Sequence, residues 1–357
     1  MSELASEPVG TAAFANAAGI IVGPVFDHLE RLTDGRGLFE HALHSVPRPE
    51  HGYCVDDVAR GLVVVCREPD PAPAVRRLGA LYLEFTLAAL QAGGSCHNRM
   101  RVDGAWSDSP GVGDWWGRAL WGLGVAAVRA PAAAMRARAL DGFRIAARQR
   151  SPHHRAMAFA ALGAGELLMG RPGEWSARAL LGDAAEVVGT GTDAADPAWP
   201  WPEPTLRYGN GAVAEALLLA GAALPDPALL ATGLRLLDFL LRIETRDGRL
   251  SVTPVGGRGP GETGPGHDQQ PIEVAALADA CARAYAVTGG ARWLAGVRLA
   301  WAWFLGDNDG GTAMFDPRTG GGYDGLTRQG RNLNQGAEST LAMLSTAQQA
   351  RRLSGLP

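Results

Sequence analysis

Acidic side chains recur in this chain at one kind of place, where a loop rich in Gly, Pro, Trp or His runs into an apolar, helix-forming stretch. They are Asp56 and Asp57 in Gly-Tyr-Cys-Val-Asp-Asp, Asp114 before Trp115-Trp116, Asp268 and Glu273 in His-Asp-Gln-Gln-Pro-Ile-Glu, and Glu338 after Asn-Gln-Gly-Ala. Asp108 and Asp324 lie in neighbouring loops. A helix N-terminus favours an ionised carboxylate, which suits a general base or a nucleophile. A general acid needs apolar or like-charged surroundings that keep its proton. Carboxyl groups in such contrasting settings are what acid–base chemistry on a bound substrate requires.

Each acid also has a plainer duty. Asp56 and Asp57 are adjacent on a helix start and point in different directions, so at most one faces a pocket. Asp56 can pair with Arg60 four residues on, which leaves Asp57 for the pocket. Asp114 suits a helix cap. Glu273 follows Gln270 at capping-box spacing, with Pro271 in the first turn, where its missing N–H costs nothing. Glu338 is an isolated acid in an apolar helix, with Asn334 as the natural cap. Asp268 lies outside its helix, beside His267, and is the freest. The catalytic candidates are therefore Asp57, Asp268, Glu338, Glu273 and Asp114.

The same loops carry aromatic faces in Trp115, Trp116, Trp199 and Tyr208. They carry hydrogen-bonding groups in Arg118, His97, His153, His154, His267, Gln269, Gln270 and Asn334. These are the substrate-binding candidates. Trp121, Trp293, Trp301 and Trp303 lie inside helical stretches and read as core. The histidines form no HExxH or comparable metal spacing. Cys54, Cys66, Cys96 and Cys281 form no CxxC pair and read as free, buried thiols. No strand-borne GxGxxG, Walker loop or GxSxG is present, so neither cofactor nor metal is expected.

The elements that must position these residues repeat. Six loop-to-helix segments start near residues 52, 113, 151, 208, 268 and 334, and their helices are rich in Ala, Gly and Leu on nearly every face, as buried helices are. Between them run amphipathic helices over about 25–32, 74–91, 132–148, 175–188, 227–242 and 291–305. Leu78, Leu81, Tyr82 and Phe85 show the helical spacing. Six buried helices alternating with six half-exposed ones predict an all-α (α/α)6 barrel, one domain over 1–357. The loops leading into the inner helices gather at one end. Hairpins are expected over 97–108, turning at Asp103-Gly104, and over 246–254, turning at Asp247-Gly248. A long Gly-rich excursion spans 306–332. The Trp- and Pro-rich stretch 189–204 reads as a packed loop.

This pattern of carboxylates and aromatics at the inner-helix ends resembles the six-hairpin glycosidase superfamily. The segments GYCVDDVAR, DQQPIE and NLNQGAEST are also similar to a helical domain associated with bacterial glycosyltransferases. The resemblance implies carbohydrate handling, first of all inverting glycoside hydrolysis by two carboxyl groups, with aromatic faces stacked on sugar rings. A sugar epimerase or isomerase working through His153, His154 or His267 is the second expectation. A non-catalytic glycan-binding module assisting a glycosyltransferase is the third. Asp56-Asp57 alone makes no DDxxD motif, and the polar loops do not suit a terpenoid.

The net charge of −4 and the lack of a Lys/Arg run give no reason to expect nucleic acid or an anionic membrane as partner. The start MSELASEP lacks the basic residues of a signal peptide, and no apolar run approaches membrane-spanning length. A cytoplasmic protein is expected.

Overall fold

The computed structural model describes residues 24–192 and 196–354. The expectations for the chain's first residues fall outside that range. Six helices form an inner ring: α2 (Val55–Arg67), α4 (Asp114–Arg129), α6 (His154–Gly170), α8 (Asn210–Ala223), α10 (Pro271–Thr288) and α12 (Ala337–Ser354). Each packs on the next, and α12 closes on α2. Outside them lie α1 (Asp27–Arg31), α3 (Pro73–Ala89), α5 (Ala133–Ala146), α7 (Trp175–Gly189), α9 (Pro227–Ile243) and α11 (Ala291–Leu305). The architecture is the (α/α)6 barrel that the alternating pattern predicted.

The small residues of the inner helices make the ring possible. A Cβ on Gly124 would collide with the backbone of Gly163, and one on Gly163 with the carbonyl of Leu120. There α4 and α6 meet backbone to backbone. The outer helices have more polar outer faces and ordinary ends. At α9, Asp226 accepts from the N–H of Ala228 at 2.9 Å and of Leu229 at 3.1 Å, ahead of Pro227, a regular N-cap.

The strands are short antiparallel pairs in the loops. The hairpin expected around Asp247-Gly248 forms from β5 (Thr245–Arg246) and β6 (Arg249–Leu250). Both turn residues have positive φ, 48° and 80°, as a type I′ turn needs. The hairpin expected over 97–108 also forms, with the Arg101 N–H on the Ala105 carbonyl at 2.9 Å, the Ser107 N–H on the Arg99 carbonyl at 2.9 Å, and Gly104 at φ 93° in the turn. Met100 pairs with Trp106 across it, and β4 (Arg99–Met100) pairs on its other edge with β3 (Tyr53–Cys54). Hairpins β7–β8 (Phe315–Asp316, Gly321–Gly322) and β9–β10 (Gly325–Thr327, Gly330–Asn332) fill the Gly-rich excursion, and β1–β2 (Ala42–Leu43, Val46–Pro47) precedes α2. Trp201 is buried, and Trp199 donates to the carbonyl of Glu203 at 2.9 Å. All four cysteines are free and buried. Among the described residues, no helix is long and apolar enough to cross a membrane.

Candidate functional site at the N-terminal mouth of the barrel

The N-terminal ends of the inner helices converge on Arg60, one turn into α2. Its Nη2 donates to Asp57 at 2.5 Å and reaches Asp56 at 3.5 Å, and its Nη1 donates to Glu338 of α12 at 2.9 Å. Arg118 of α4 also donates to the Asp56 carboxylate, with its guanidinium 4.5 Å from the centre of the Phe159 ring. Three carboxylates and two guanidiniums thus tie together three neighbouring inner helices.

Within this cluster the roles expected of the adjacent aspartates are exchanged. Asp57 is only 2% exposed, and its second oxygen accepts the Cys54 thiol at 3.1 Å. Burial pushes its carboxyl up to about 6 against the pull of Arg60. The Asp56 side chain is 24% exposed and that of Glu338 42%. Asp56, not Asp57, opens on the mouth, because β3 and its Cys54 cover the side of the helix that Asp57 faces. Below Arg60 and Arg118 the lumen narrows to about 50 Å³, walled by Val63, Val64, Trp121 and Leu162. That holds a few waters and no organic ring.

Beside this cluster lies a cleft of about 650 Å³, lined by Asp114, Trp115, His153, His154, Arg155, Glu203, Arg207 and Tyr208. Asp114, first residue of α4, accepts the Tyr208 hydroxyl at 2.8 Å. Burial and the Asp114 carboxylate push the Tyr208 phenol up to about 12. Trp115 is fixed by its N–H to the carbonyl of Cys96 at 2.7 Å. Arg155 donates to the Tyr208 carbonyl and to Glu203, both at 2.7 Å, and to His154 Nδ1 at 2.9 Å. His154 Nε2 then carries the hydrogen and donates to the carbonyl of Val188 at 3.1 Å. Burial and the Arg155 charge lower its pKa. His153 is exposed, and no hydrogen bond engages its imidazole among the described residues.

Other candidates are committed to structure. Trp116 is fully buried, with its N–H on the carbonyl of Ala146 at 3.2 Å. Gln269 is fully buried, donating to Asp309 at 2.7 Å and accepting from the Trp303 indole at 3.2 Å. Neither offers a surface to a ligand. Glu273 does not box its own helix. It accepts from the N–H groups of Gly209 at 2.6 Å and Asn210 at 3.3 Å, capping α8, whose N-cap is the side-chain-less Gly209. Burial pushes Glu273 up to about 7. The Gln270 side chain makes no cap bond. Asn334 accepts from the N–H of His44 at 2.9 Å, and the start of α12 is instead held by Asp324, on Gly336 N–H at 2.8 Å and Ser339 Oγ at 2.6 Å. His97 bonds Asp108 at 3.2 Å and stacks on Trp106. Exposed Asp268 and half-buried His267 sit on the loop before α10, and no hydrogen bond joins them to either cluster among the described residues.

The atoms of Glu40, Cys54 and Asp57 lie within 4.8 Å of one another, close enough to consider a metal. The two carboxylates are already held by Arg99 and Arg60, and burial pushes the Cys54 thiol up, so the set does not suit a cation.

No known family model matches the sequence, and no curated protein is similar to it. Solved structures are similar in fold. A sugar epimerase from a ruminal bacterium superposes with a TM-score of 0.67 at 14% identity, over 92% of this chain and 95% of that one. A cellobiose 2-epimerase from Spirochaeta thermophila gives 0.67 at 13% identity, over 91% and 93%. A GH76 alpha-mannanase from Bacteroides thetaiotaomicron gives 0.63 at 9% identity, over 91% and 93%.

Proposed function

We propose that the protein is a carbohydrate-active enzyme whose substrate lies across the N-terminal mouth. The observation that carries this reading is the cleft in which Asp114, Trp115, His153, His154 and Tyr208 meet. Its volume falls in the range of small-molecule sites, roughly 300–1,000 Å³. Trp115 and Tyr208 offer flat apolar faces to a sugar ring, and His153 and Arg207 offer donors to its hydroxyls. Arg118, one turn along α4 from Asp114, donates to Asp56, which shares Arg60 with Glu338. We assign hydrolysis of a glycosidic bond to these two carboxyl groups, one protonating the leaving oxygen and the other activating water. Asp57 leaves the catalytic list because Arg60 and Cys54 occupy both its oxygens.

Epimerisation or isomerisation is the second reading. It is favoured by the imidazole of His153 in the cleft, which no hydrogen bond engages among the described residues. The epimerases of this fold, matched over nine-tenths of the chain, support it. A companion glycosyltransferase rests on the likeness of the three sequence segments alone. We also propose that 1–357 is one domain, since the ring closes only when α12 meets α2.

Incubation with cellobiose, D-mannose and α-mannan, followed by chromatography of the products, separates the readings. New reducing ends support hydrolysis, and a 2-epimer or ketose without bond cleavage supports the second reading. Saturable binding with neither product leaves a glycan-binding module. No binding and no product overturns the proposal.

A further inference from the structure

The opposite end of the barrel, where the inner helices finish, holds a cavity of about 740 Å³. Its floor is charged and buried. Arg67 of α2 donates to Asp279 of α10 at 2.9 Å. Arg283 donates to Glu166 of α6, and its Nε lies 3.5 Å from Glu215 of α8. Arg129 reaches Glu166 at 3.4 Å from the rim. Glu68 and Arg351 pair at 2.8 Å, and Asp70 is exposed on the edge. Carbonyl ends of helices favour cations in their last turn, which accounts for arginines at this end.

Three features are left over. Arg352 bonds only the Gln349 amide oxygen, at 2.8 and 3.1 Å, and faces no carboxylate partner among the described residues. Desolvation and the charges of Arg283, Arg67 and Arg129 lower its pKa. Gln348 is 6% exposed, yet its Oε1 is buried without a partner, while its Nε2 is fixed on the Val64 carbonyl at 2.9 Å. The Nε of Arg283 is buried and makes no hydrogen bond. A buried acceptor without a donor and a buried donor without an acceptor each cost about 1–3 kcal/mol. The lining carries five arginines, Arg67, Arg129, Arg283, Arg351 and Arg352, and five acids, Glu68, Asp70, Glu166, Glu215 and Asp279, and of these arginines Arg352 bonds no carboxylate among the described residues. Burial raises the pKa of Glu215 against the pull of Arg283.

We infer that this end of the barrel is a second ligand site, taking a small oxyanion that also carries a hydroxyl between Arg129, Arg283, Arg352 and Gln348. The oxyanion, phosphate or carboxylate, accepts from the guanidiniums, and the hydroxyl donates to Gln348 Oε1. Glu215 and Asp279 line both this cavity and the narrow lumen that Arg60 and Arg118 close from the other side. The ligand therefore sits at the far end of the same channel as the N-terminal mouth.

The test is thermal unfolding and calorimetric titration of the full chain with sodium phosphate and with sodium citrate, against sodium chloride at equal ionic strength. Saturable stabilisation by phosphate, citrate or both, absent with chloride, is expected, and the stronger of the two identifies the head group. The double variant Arg129→Gln/Arg352→Gln alters two rim side chains and should weaken that binding at least tenfold. Arg292→Gln, on the exposed face of α11, should not change it. Equal stabilisation by chloride, or an affinity unchanged in the double variant, overturns the inference and leaves these arginines serving the helix ends alone. The titration uses no sugar, so its failure leaves the proposed function untouched.

Discussion

Arg60 and Glu338 meet at 2.9 Å across the seam where the last inner helix closes on the first, 278 residues apart in sequence. The same guanidinium holds Asp57 and Asp56, so one side chain both fastens the ring and orders the acids at its mouth.

Replacing Arg60 should therefore be costly. Arg60→Met leaves Asp57 buried beside Cys54 with no cation, and loss of one partner of a buried pair costs about 3–5 kcal/mol. Adding Asp57→Asn should recover part of that loss. Urea unfolding of the two variants checks both statements. A single variant within about 0.5 kcal/mol of the parent would remove Arg60 from this role.

Tight backbone approach sets the second expectation. Gly163→Ala should destabilise by about 1–3 kcal/mol through overpacking against Leu120. Gly182→Ala, on outer helix α7 with open space at its Cβ, should be neutral or gain about 0.5–1 kcal/mol from helix propensity. Equal effects at the two positions would contradict the backbone-contact account.

The buried acids predict a stability profile with pH. Glu166 is held down to about 2, against a usual 4.5, by burial opposed and overcome by Arg283, Arg67 and Arg129. Its contribution is present above pH 4.5 and is lost as pH falls towards 2. Glu273, pushed up to about 7, works in the opposite sense. The folded state binds its proton more tightly, so stability falls as pH rises from 4.5 to 7. Unfolding midpoints should rise between pH 2 and 4.5 and decline towards 7. Glu273→Gln, which keeps an acceptor for Gly209, should flatten the decline. A variant with the parent's slope would reject the assignment.

How far the sequence reaches is clear from particular elements. The helix expected over 227–242 is Pro227–Ile243, and that over 74–91 is Pro73–Ala89, because a 3.6-residue apolar period and saturation with Ala, Gly and Leu are local signals. The choice between Asp56 and Asp57 was not legible, since it depends on what β3 lays over the helix. Glu273 capping α8 is a contact between helices that spacing along one helix cannot show. The charged floor at the far end was missed, although Glu166 and Glu215, single acids inside apolar helices, and Asp279 in the middle of α10 were a visible cue. The fold neighbours leave the chemistry at the mouth open, as a shared fold does.

The cleft makes its own prediction. If the proposed site takes a sugar, Trp115→Ala and Tyr208→Phe should each weaken its binding, Trp115→Ala by roughly tenfold through the lost ring face. Glu338→Gln should leave binding near the parent value and remove turnover. Calorimetry beside product analysis reads the two effects separately, and a Glu338→Gln variant with full turnover would strike that residue from the mechanism.

The most direct test is a crystal structure with cellobiose or mannobiose bound. The account predicts a sugar ring lying against Trp115 or Tyr208, with hydroxyls on Asp114 or Arg207 and a glycosidic oxygen towards Asp56 and Glu338. A sugar bound elsewhere on the barrel, with the Trp115–Tyr208 cleft empty, would contradict it.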